Sequence, residues 1–156
     1  MLWGGDASIS LGHVPYRGGL LAMQAAAAGQ IAAALSTEAS AVALHQAGKL
    51  RILATTGTAR SVFFPDAPTF RESGFARLIQ REWFAAFMPA KTPSTAIQET
   101  ADAIAIALRD ADTRESWHRL GLLAESSKPA ELAHALRAEH DFWGPLVKAS
   151  GFTPEA

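Results

Sequence analysis

The sequence predicts an α/β fold, an α/β sandwich with a largely parallel sheet. Short apolar segments that suit strands alternate with longer segments whose apolar residues recur at the period of a helix. Glycine and proline stand at most changes between the two patterns. With 156 residues, 49% of them hydrophobic, the chain is long enough to bury a core without disulfides, which fits one domain or a large part of two.

The first half predicts strands and helices in turn. Ile9, Leu11 and His13 alternate with small or polar residues as in a strand, and a glycine pair then forms a turn. The elements expected next are a helix over Leu20–Ala28, a strand over Gln30–Ser36, a helix over Thr37–Ala47 and a strand over Lys49–Thr55. Thr56–Gly74 is rich in glycine and proline, so we expect a connection with at most one helical turn, near Thr69–Ser73.

The middle of the chain predicts a crossing between two lobes, followed by a helix. Leu78–Met88 is an apolar run that Pro89 ends, and we interpret it as an extended crossing segment. Thr92 is expected to cap the next helix, because a hydroxyl stands before proline at the first helical position. The buried face of that helix is predicted to be Ile97, Ala101, Ile104 and Leu108.

Two more helices are predicted toward the C-terminus. The first runs from Asp112 to Leu120 and ends at Gly121, and Leu122–Ala124 is a possible strand. Ser127 is expected to cap the last helix. Its buried stripe is predicted to be Leu132, Leu136, Trp143 and Val147.

Composition excludes several classes of function. A net charge of −1, with the basic residues spread along the chain, argues against nucleic-acid binding, which needs a concentrated basic face. The absence of cysteine excludes thiol chemistry and disulfides. The first residues lack the basic start and apolar stretch of a secretory signal, so none is expected in the chain as written, and no apolar window suits a membrane-spanning helix.

Motifs for catalysis or metal binding are missing from the sequence. The dinucleotide, phosphate-loop, nucleophile-elbow and zinc-protease patterns are all absent, which lowers the expectation of an enzyme. Glu131 and His134 have the spacing of a helical metal-ligand pair, but this spacing is also common on helix surfaces, and we interpret the two residues as a solvated face. We therefore predict neither a metal site nor a cofactor.

The most informative local feature is the segment His13-Val14-Pro15-Tyr16-Arg17-Gly18-Gly19, which ends in a glycine turn. A glycine pair between a strand and a helix lets backbone N–H groups approach an anion, and the helix dipole adds to the attraction. Such turns are also common as purely structural features, so the turn alone leaves both interpretations open. Trp83 is a second candidate, because an aromatic side chain in the crossing segment could line a cleft. Packing in the core is the ordinary alternative for it.

Several segments together resemble one family of transport receptors. They are HVPYRGG at 13–19, AGQI at 28–31, AGKLRILATTGTARS at 47–61, FPDAPTFRESG at 64–74, EWFAAFMPAKTP at 82–93 and FWGPLVKASGF at 142–152. In this order and spacing they are similar to the solute receptors of tripartite tricarboxylate transporters, also called Bug-type or TctC-like proteins. The resemblance implies a type II periplasmic-binding-protein fold that binds a small organic carboxylate in a cleft, without catalysis, and delivers it to membrane permease subunits.

The resemblance covers only the C-terminal half of such a receptor. It implies that residues 1–77 belong to the second ligand-binding lobe, 78–92 to the crossing and 93–156 to the helical part of the first lobe. The ligand-binding residues carried over by position are Tyr16, Arg17, Gly18, Gly19, Ser36, Thr37 and Trp83. The family works in the periplasm, which implies that location here. The alternatives are a remnant that binds nothing, or a chain that needs a partner supplying the missing half; unpaired strand edges also predict self-association.

Overall fold

The structure, a computed structural model, describes residues 11–151, so the expected strand residue Ile9 lies outside the described part. Within that range the chain forms five α-helices: α1 Gly19–Ala27, α2 Glu38–Gln46, α3 Ser94–Ala107, α4 Ala111–Arg119 and α5 Pro129–Ala149. Each helix lies where the sequence predicts one. Glycines with positive φ follow α1, α2, α4 and α5, as expected for helix ends that need a left-handed residue.

The predicted strands do not form regular ladders. Gln30–Ser36 and Leu122–Ala124 contain no strand, and within residues 11–151 only one isolated bridge is present, the parallel pair Thr55 and Thr69. At that bridge the Thr55 N–H donates to Pro68 O at 3.0 Å, and the Phe70 N–H donates to Thr55 O at 2.8 Å. Lys49–Thr55 is therefore paired only at its last residue. Strands need neighbours to bond with, and the described part of the chain supplies very few.

The chain divides into two compact units. The first unit comprises Gly12–Trp83 and Ser116–Leu123, and the second comprises the described residues Leu11, 84–115 and 124–151. The boundary falls inside the segment predicted to cross between lobes. Residues 78–83 and Ser116–Leu123 group with the first unit, although the sequence assigns them to the crossing and to the C-terminal part. The assignment of 1–77, 78–92 and 93–156 to parts of two receptor lobes remains a prediction.

The core of the first unit lies between α1, α2 and the connection that follows them. It is formed by Met23 of α1, Ala41 and Val42 of α2, and Phe64 and Ala67 of the connection. The His45 ring stands edge-on to the Phe64 ring with centroids 5.2 Å apart, and its Nδ1 lies 3.1 Å from Leu50 O. These contacts fix α2, whose first turn is part of the candidate site.

The long connection contains the single helical turn that the sequence predicts. The Ser73 N–H donates to Thr69 O at 3.1 Å, which closes one turn at the expected place. Thr69 Oγ1 accepts from the Glu72 N–H at 3.0 Å, and Glu72 Oε2 accepts from the Thr69 N–H at 2.7 Å. This reciprocal pair is a capping box, and it stabilises the start of the turn.

The second unit contains α3 and α5, which contact each other but bury no residue completely. The prediction that the apolar stripes of these two helices are buried is therefore wrong. Ile104 is 39% exposed, Leu136 37% and Val147 42%, while the remaining stripe residues of α3 and α5 are half-buried. The helical period is correct, but no residue of these apolar faces is fully buried within the described part of the chain.

Two predicted helix caps are also wrong. Pro93, not Thr92, occupies the N-cap position of α3, and no side chain caps that helix. Lys128, not Ser127, precedes α5, and the Lys128 N–H donates to Glu131 Oε2 at 2.7 Å. The carboxylate of Glu131, in the first turn, therefore caps the start of α5, so the hydroxyl of Ser127 is not needed as a cap.

Candidate functional site

The glycine turn adopts a conformation that other residues rarely adopt. Gly18 has φ 114° and ψ 157° at the N-cap of α1, and its N–H donates to Tyr16 O at 2.9 Å. Tyr16 is half-buried and Arg17 is exposed. The turn thus presents the start of α1 beside an accessible guanidinium, which is the arrangement that the anion-site hypothesis requires.

Gly19 lies against the start of α2. A Cβ at this position would overlap Ser36 Oγ and would lie 2.8 Å from Ser40 Oγ. Thr37 Oγ1 in turn lies 3.0 Å from Ser40 Oγ. We call Ser36, Thr37 and Ser40 the hydroxyl cluster. The structure therefore brings together the two candidate segments Gly18–Gly19 and Ser36–Thr37, which lie far apart in the sequence, and it adds Ser40, which the sequence did not indicate.

The first turn of α2 has no side-chain cap. Thr37 is the N-cap residue, but its hydroxyl makes no hydrogen bond to the helix backbone and interacts with Ser40 instead. The Ser40 N–H donates to the Thr37 carbonyl at 3.1 Å. A helix start of this kind retains backbone donors and a partial positive charge that can attract a carboxylate.

Two acidic side chains would repel an anion bound at the start of α2. Glu38 lies in the first turn of α2. Partial desolvation of the exposed Glu82, together with the nearby charge of Glu38, raises the pKa of its carboxyl above the ordinary value. The influence of Glu38 on Glu82 places the carboxyl of the crossing segment near the start of α2. An anionic ligand must therefore find enough positive charge, from Arg17 and the helix ends, to offset these carboxylates.

Trp83 is half-buried and belongs to the same unit as the hydroxyl cluster, and it follows Glu82 directly. The role of Trp83 as a wall of a ligand cleft remains a prediction.

A second glycine approaches α2 from the end of α4. Gly121 is buried with φ 75°, and a Cβ there would lie 2.8 Å from Val42 Cγ2 and 2.9 Å from Ala39 Cα. Only glycine allows the backbone to come this close in this conformation. Gly121 therefore helps to fix the first turn of α2. The sequence identified it as a helix end but gave no sign of this contact.

A surface crevice of about 360 Å³ lies beside the capped turn of the connection and was missed by the sequence reasoning. It is lined by Thr58, Ala59, Arg60, Thr69, Arg71 and Glu72. The Arg60 Nε donates to Glu72 Oε1 at 3.0 Å and to Oε2 at 3.2 Å. The pattern Thr69-x-x-Glu72, typical of a capping box, was the available signal. Both residues of this ion pair line the crevice, and we interpret the pair as structural.

The described part of the chain holds neither a group of metal-ligating side chains nor a helix that could span a membrane. Between residues 11 and 151, no three His, Asp or Glu side chains come close enough to hold a metal ion. Glu131, the residue with metal-ligand spacing, is engaged in capping α5. Over the same range, none of the helices combines the length and apolarity needed to span a bilayer.

A family model identifies the evolutionary group. The model described as the tripartite tricarboxylate transporter family receptor, TctC, matches residues 4–152, nearly the whole chain. The chain belongs to this receptor family. The resemblance drawn from HVPYRGG and the other segments is thereby confirmed.

Two curated relatives of this receptor family are considerably longer. A UPF0065 protein from the gbd 5' region of Cupriavidus necator is 35% identical over 108 residues, which are 69% of this chain and 32% of the relative. BugT of Bordetella pertussis is 25% identical over 142 residues, which are 91% of this chain and 44% of BugT. The chain therefore spans less than half the length of these relatives.

Solved structures show the same fold and the same partial coverage. A protein described as a periplasmic transporter superposes with a TM-score of 0.84 at 30% identity, covering 94% of this chain and 49% of the solved one. An R. palustris protein solved with adipate gives 0.85 at 22% identity, covering 99% and 52%. The periplasmic binding protein BugD gives 0.78 at 23% identity, covering 96% and 51%. The predicted partial periplasmic-binding-protein fold is confirmed.

Proposed function

We propose that this chain forms one part of a solute-binding receptor that recognises a small organic carboxylate for uptake and performs no catalysis. In this proposal it acts in the periplasm and delivers its ligand to permease subunits in the membrane. Membership of the tripartite tricarboxylate transporter receptor family supports the class of function. The similarity to a protein described as a periplasmic transporter supports the location.

The observation that carries the proposal is the meeting of the glycine turn with the hydroxyl cluster. The start of α1 at Gly19 lies against Ser36 and Ser40, beside the start of α2. A carboxylate placed there would accept hydrogen bonds from backbone N–H groups of the Gly18–Gly19 turn and from the hydroxyls of Ser36 and Thr37. Tyr16 and Trp83 are the proposed flanking contacts.

Arg17 is the proposed charged contact. It is exposed at the turn, and a guanidinium can bind both oxygens of one carboxylate. The opposing charges of Glu38 and Glu82 make this contribution important. Lysine would replace it incompletely, because an ammonium group offers a point charge and lacks the planar pair of donors.

Binding to the 156-residue chain alone is expected to be weak. The family's clefts are proposed to hold a ligand between two lobes, whereas this chain spans about half of a solved receptor. Each charge-assisted hydrogen bond that is missing lowers the binding free energy by about 1.5–3 kcal/mol. We therefore expect dissociation constants weaker than micromolar for adipate and citrate.

The test is a titration of the chain with adipate and with citrate, followed by the backbone amide signals in NMR. The largest changes should occur at residues 16–19 and 36–40. Arg17→Ala should lower the affinity at least fivefold, or about 1 kcal/mol, and Arg17→Lys should recover only part of it. Arg71→Ala is the matched control, because Arg71 is an exposed arginine of the same unit outside the candidate site.

Three results would contradict the proposal. Micromolar binding of either acid would refute the argument that half of the donors are missing. Changes confined to other residues would refute the site. If both Arg17 variants bind within about twofold of the wild type, the guanidinium has no role in binding.

The alternative proposal is a chain that binds no ligand unless another polypeptide completes it. The lack of any buried residue among the described residues of the second unit favours this alternative. It would be supported if neither acid shifts any amide signal at millimolar concentration.

A further inference from the structure

Thr37 has the backbone conformation of a helix cap, but its side chain does not cap α2. Its φ of −72° and ψ of 154° place it in the extended region that N-cap residues adopt. A threonine hydroxyl in that position ordinarily accepts a hydrogen bond from the backbone N–H of the second or third helical residue. The Thr37 hydroxyl makes no such bond to α2, all of which the structure describes. Because the backbone is already suitable, the missing cap must come from what the side chain does instead.

The hydroxyl of Ser40 is the alternative partner. Ser40 is the third residue of α2, so its backbone N–H is a natural donor for a cap from Thr37. In the structure that N–H donates to the Thr37 carbonyl at 3.1 Å instead. Thr37 Oγ1 lies 3.0 Å from Ser40 Oγ, within hydrogen-bond distance, and both residues are half-buried. The two hydroxyls are therefore engaged with each other.

A threonine elsewhere in the chain shows the ordinary arrangement. Thr69 begins the helical turn of the connection, and its Oγ1 accepts from the Glu72 N–H, three residues later, at 3.0 Å. Glu72 Oε2 in turn accepts from the Thr69 N–H at 2.7 Å. A glutamate is long enough for this reciprocal contact. Ser40 stands at the same spacing from Thr37 but offers a short hydroxyl, and the cap is absent.

We propose that Ser40 is a positioning residue of the candidate site, because its hydroxyl holds the Thr37 hydroxyl away from the α2 backbone and so leaves it to a carboxylate ligand. This inference rests on the proposed function. With a ligand bound, the Ser40 O–H donates to Thr37 Oγ1, and the Thr37 O–H donates to the carboxylate; hydrogen bonds in such a chain strengthen one another. A break in a local rule, here an N-cap threonine that does not cap, is expected at functional sites.

The first measurement needs no ligand. Ser40→Ala, alone and combined with Thr37→Ala, is unfolded in urea as the full 156-residue chain. Once residue 40 has lost its hydroxyl, that of Thr37 should turn to the backbone and cap α2. Adding Thr37→Ala should then raise the unfolding equilibrium constant about fivefold, the typical effect of losing a cap. Thr37→Ser in the same background is the matched control and should keep the stability, since serine caps as well as threonine.

The second measurement is the adipate titration of the same full chain, followed by the backbone amide signals. Ser40→Ala should bind adipate about threefold or more weakly than the wild type. Its unfolding equilibrium constant should nevertheless stay within about twofold of the wild-type value, because the new cap offsets the lost contact between the hydroxyls. A residue that only supports the fold would lose stability and affinity together.

Two results would overturn the proposal. If Thr37→Ala has no effect on unfolding in the Ser40→Ala background, the two hydroxyls merely stabilise each other and no cap is being withheld. If Ser40→Ala binds adipate as the wild type does, Ser40 does not position Thr37 for a ligand. A wild-type chain that binds no adipate would instead contradict the proposed function, and the unfolding comparison would still decide whether Ser40 withholds the cap.

Discussion

Gly121 provides the sharpest test of how the candidate site is held. Its backbone lies against Ala39 and Val42 in the first half of α2, in a left-handed conformation with φ 75°. Gly121→Ala would introduce a Cβ 2.8 Å from Val42 Cγ2 and 2.9 Å from Ala39 Cα. One of these neighbours is a backbone atom, so the strain cannot be relieved by rotating a side chain.

The expected cost has two parts that a control can separate. A non-glycine residue in the left-handed conformation costs roughly 1–2 kcal/mol. Overpacking against the α2 backbone adds about 1–3 kcal/mol, so Gly121→Ala should lower the free energy of unfolding by about 2–5 kcal/mol. Gly48 has a similar φ of 68°, but a Cβ there meets nothing within 4 Å. Gly48→Ala should therefore show the conformational cost alone.

The assay is urea unfolding of both variants and of the wild type, monitored by circular dichroism. Gly121→Ala should be less stable than Gly48→Ala by about 1–3 kcal/mol, the packing part of the cost. In the adipate titration, any binding shifts at residues 36–40 should also be smaller in Gly121→Ala, because the start of α2 has moved. Equal losses of stability in the two variants would refute the tight approach of Gly121 to α2.

Two further predictions concern pH. The hydrogen bond from the Thr69 backbone N–H, together with the Arg60 guanidinium, holds the pKa of Glu72 below 4.5. The stability that ionised Glu72 contributes is therefore present above pH 4.5 and is lost as the pH falls through the lowered pKa. Urea unfolding should therefore show the wild type losing its advantage over Glu72→Gln upon acidification, and a constant difference would be evidence against the capping box. Partial desolvation of the exposed Glu82, with the charge of Glu38, raises the pKa of its carboxyl above 4.5. This destabilisation of the folded state is absent below pH 4.5 and develops fully as the pH rises through the raised pKa. Glu82→Gln should be more stable than the wild type at neutral pH, by a margin that closes upon acidification and shrinks with salt; a margin independent of pH would rule out this cause.

The helices could be predicted because their signals are local. Period, capping glycines and composition placed α1 to α5 close to where the structure has them. Strands depend on neighbours that can be distant in sequence, so Lys49–Thr55 has strand-like alternation yet, among residues 11–151, pairs only through Thr55. The burial of the stripe on α5 was wrong for the same reason, because burial is a property of what covers a helix.

The candidate site was predictable only in part. The glycine turn was recognisable from the sequence, and the resemblance indicated Ser36 and Thr37. Ser40 was missed because its place beside Gly19 exists only after α1 packs against α2. The approach of Gly121 to Ala39 was missed for the same reason, since its left-handed conformation also fits an ordinary helix end.

The same observations explain why the chain has no recognisable catalytic motif and still has a candidate site. Backbone N–H groups at helix starts bind anions without requiring particular side chains, so the sequence records mainly the glycines that permit close approach. Such a site depends on the position of α2 as much as on contact with the ligand. Loss of adipate binding in a variant therefore identifies a ligand contact only if the free energy of unfolding is unchanged. Arg17→Ala should meet that criterion, because Arg17 is exposed, and Gly121→Ala should fail it, because Gly121 acts through the packing of α2.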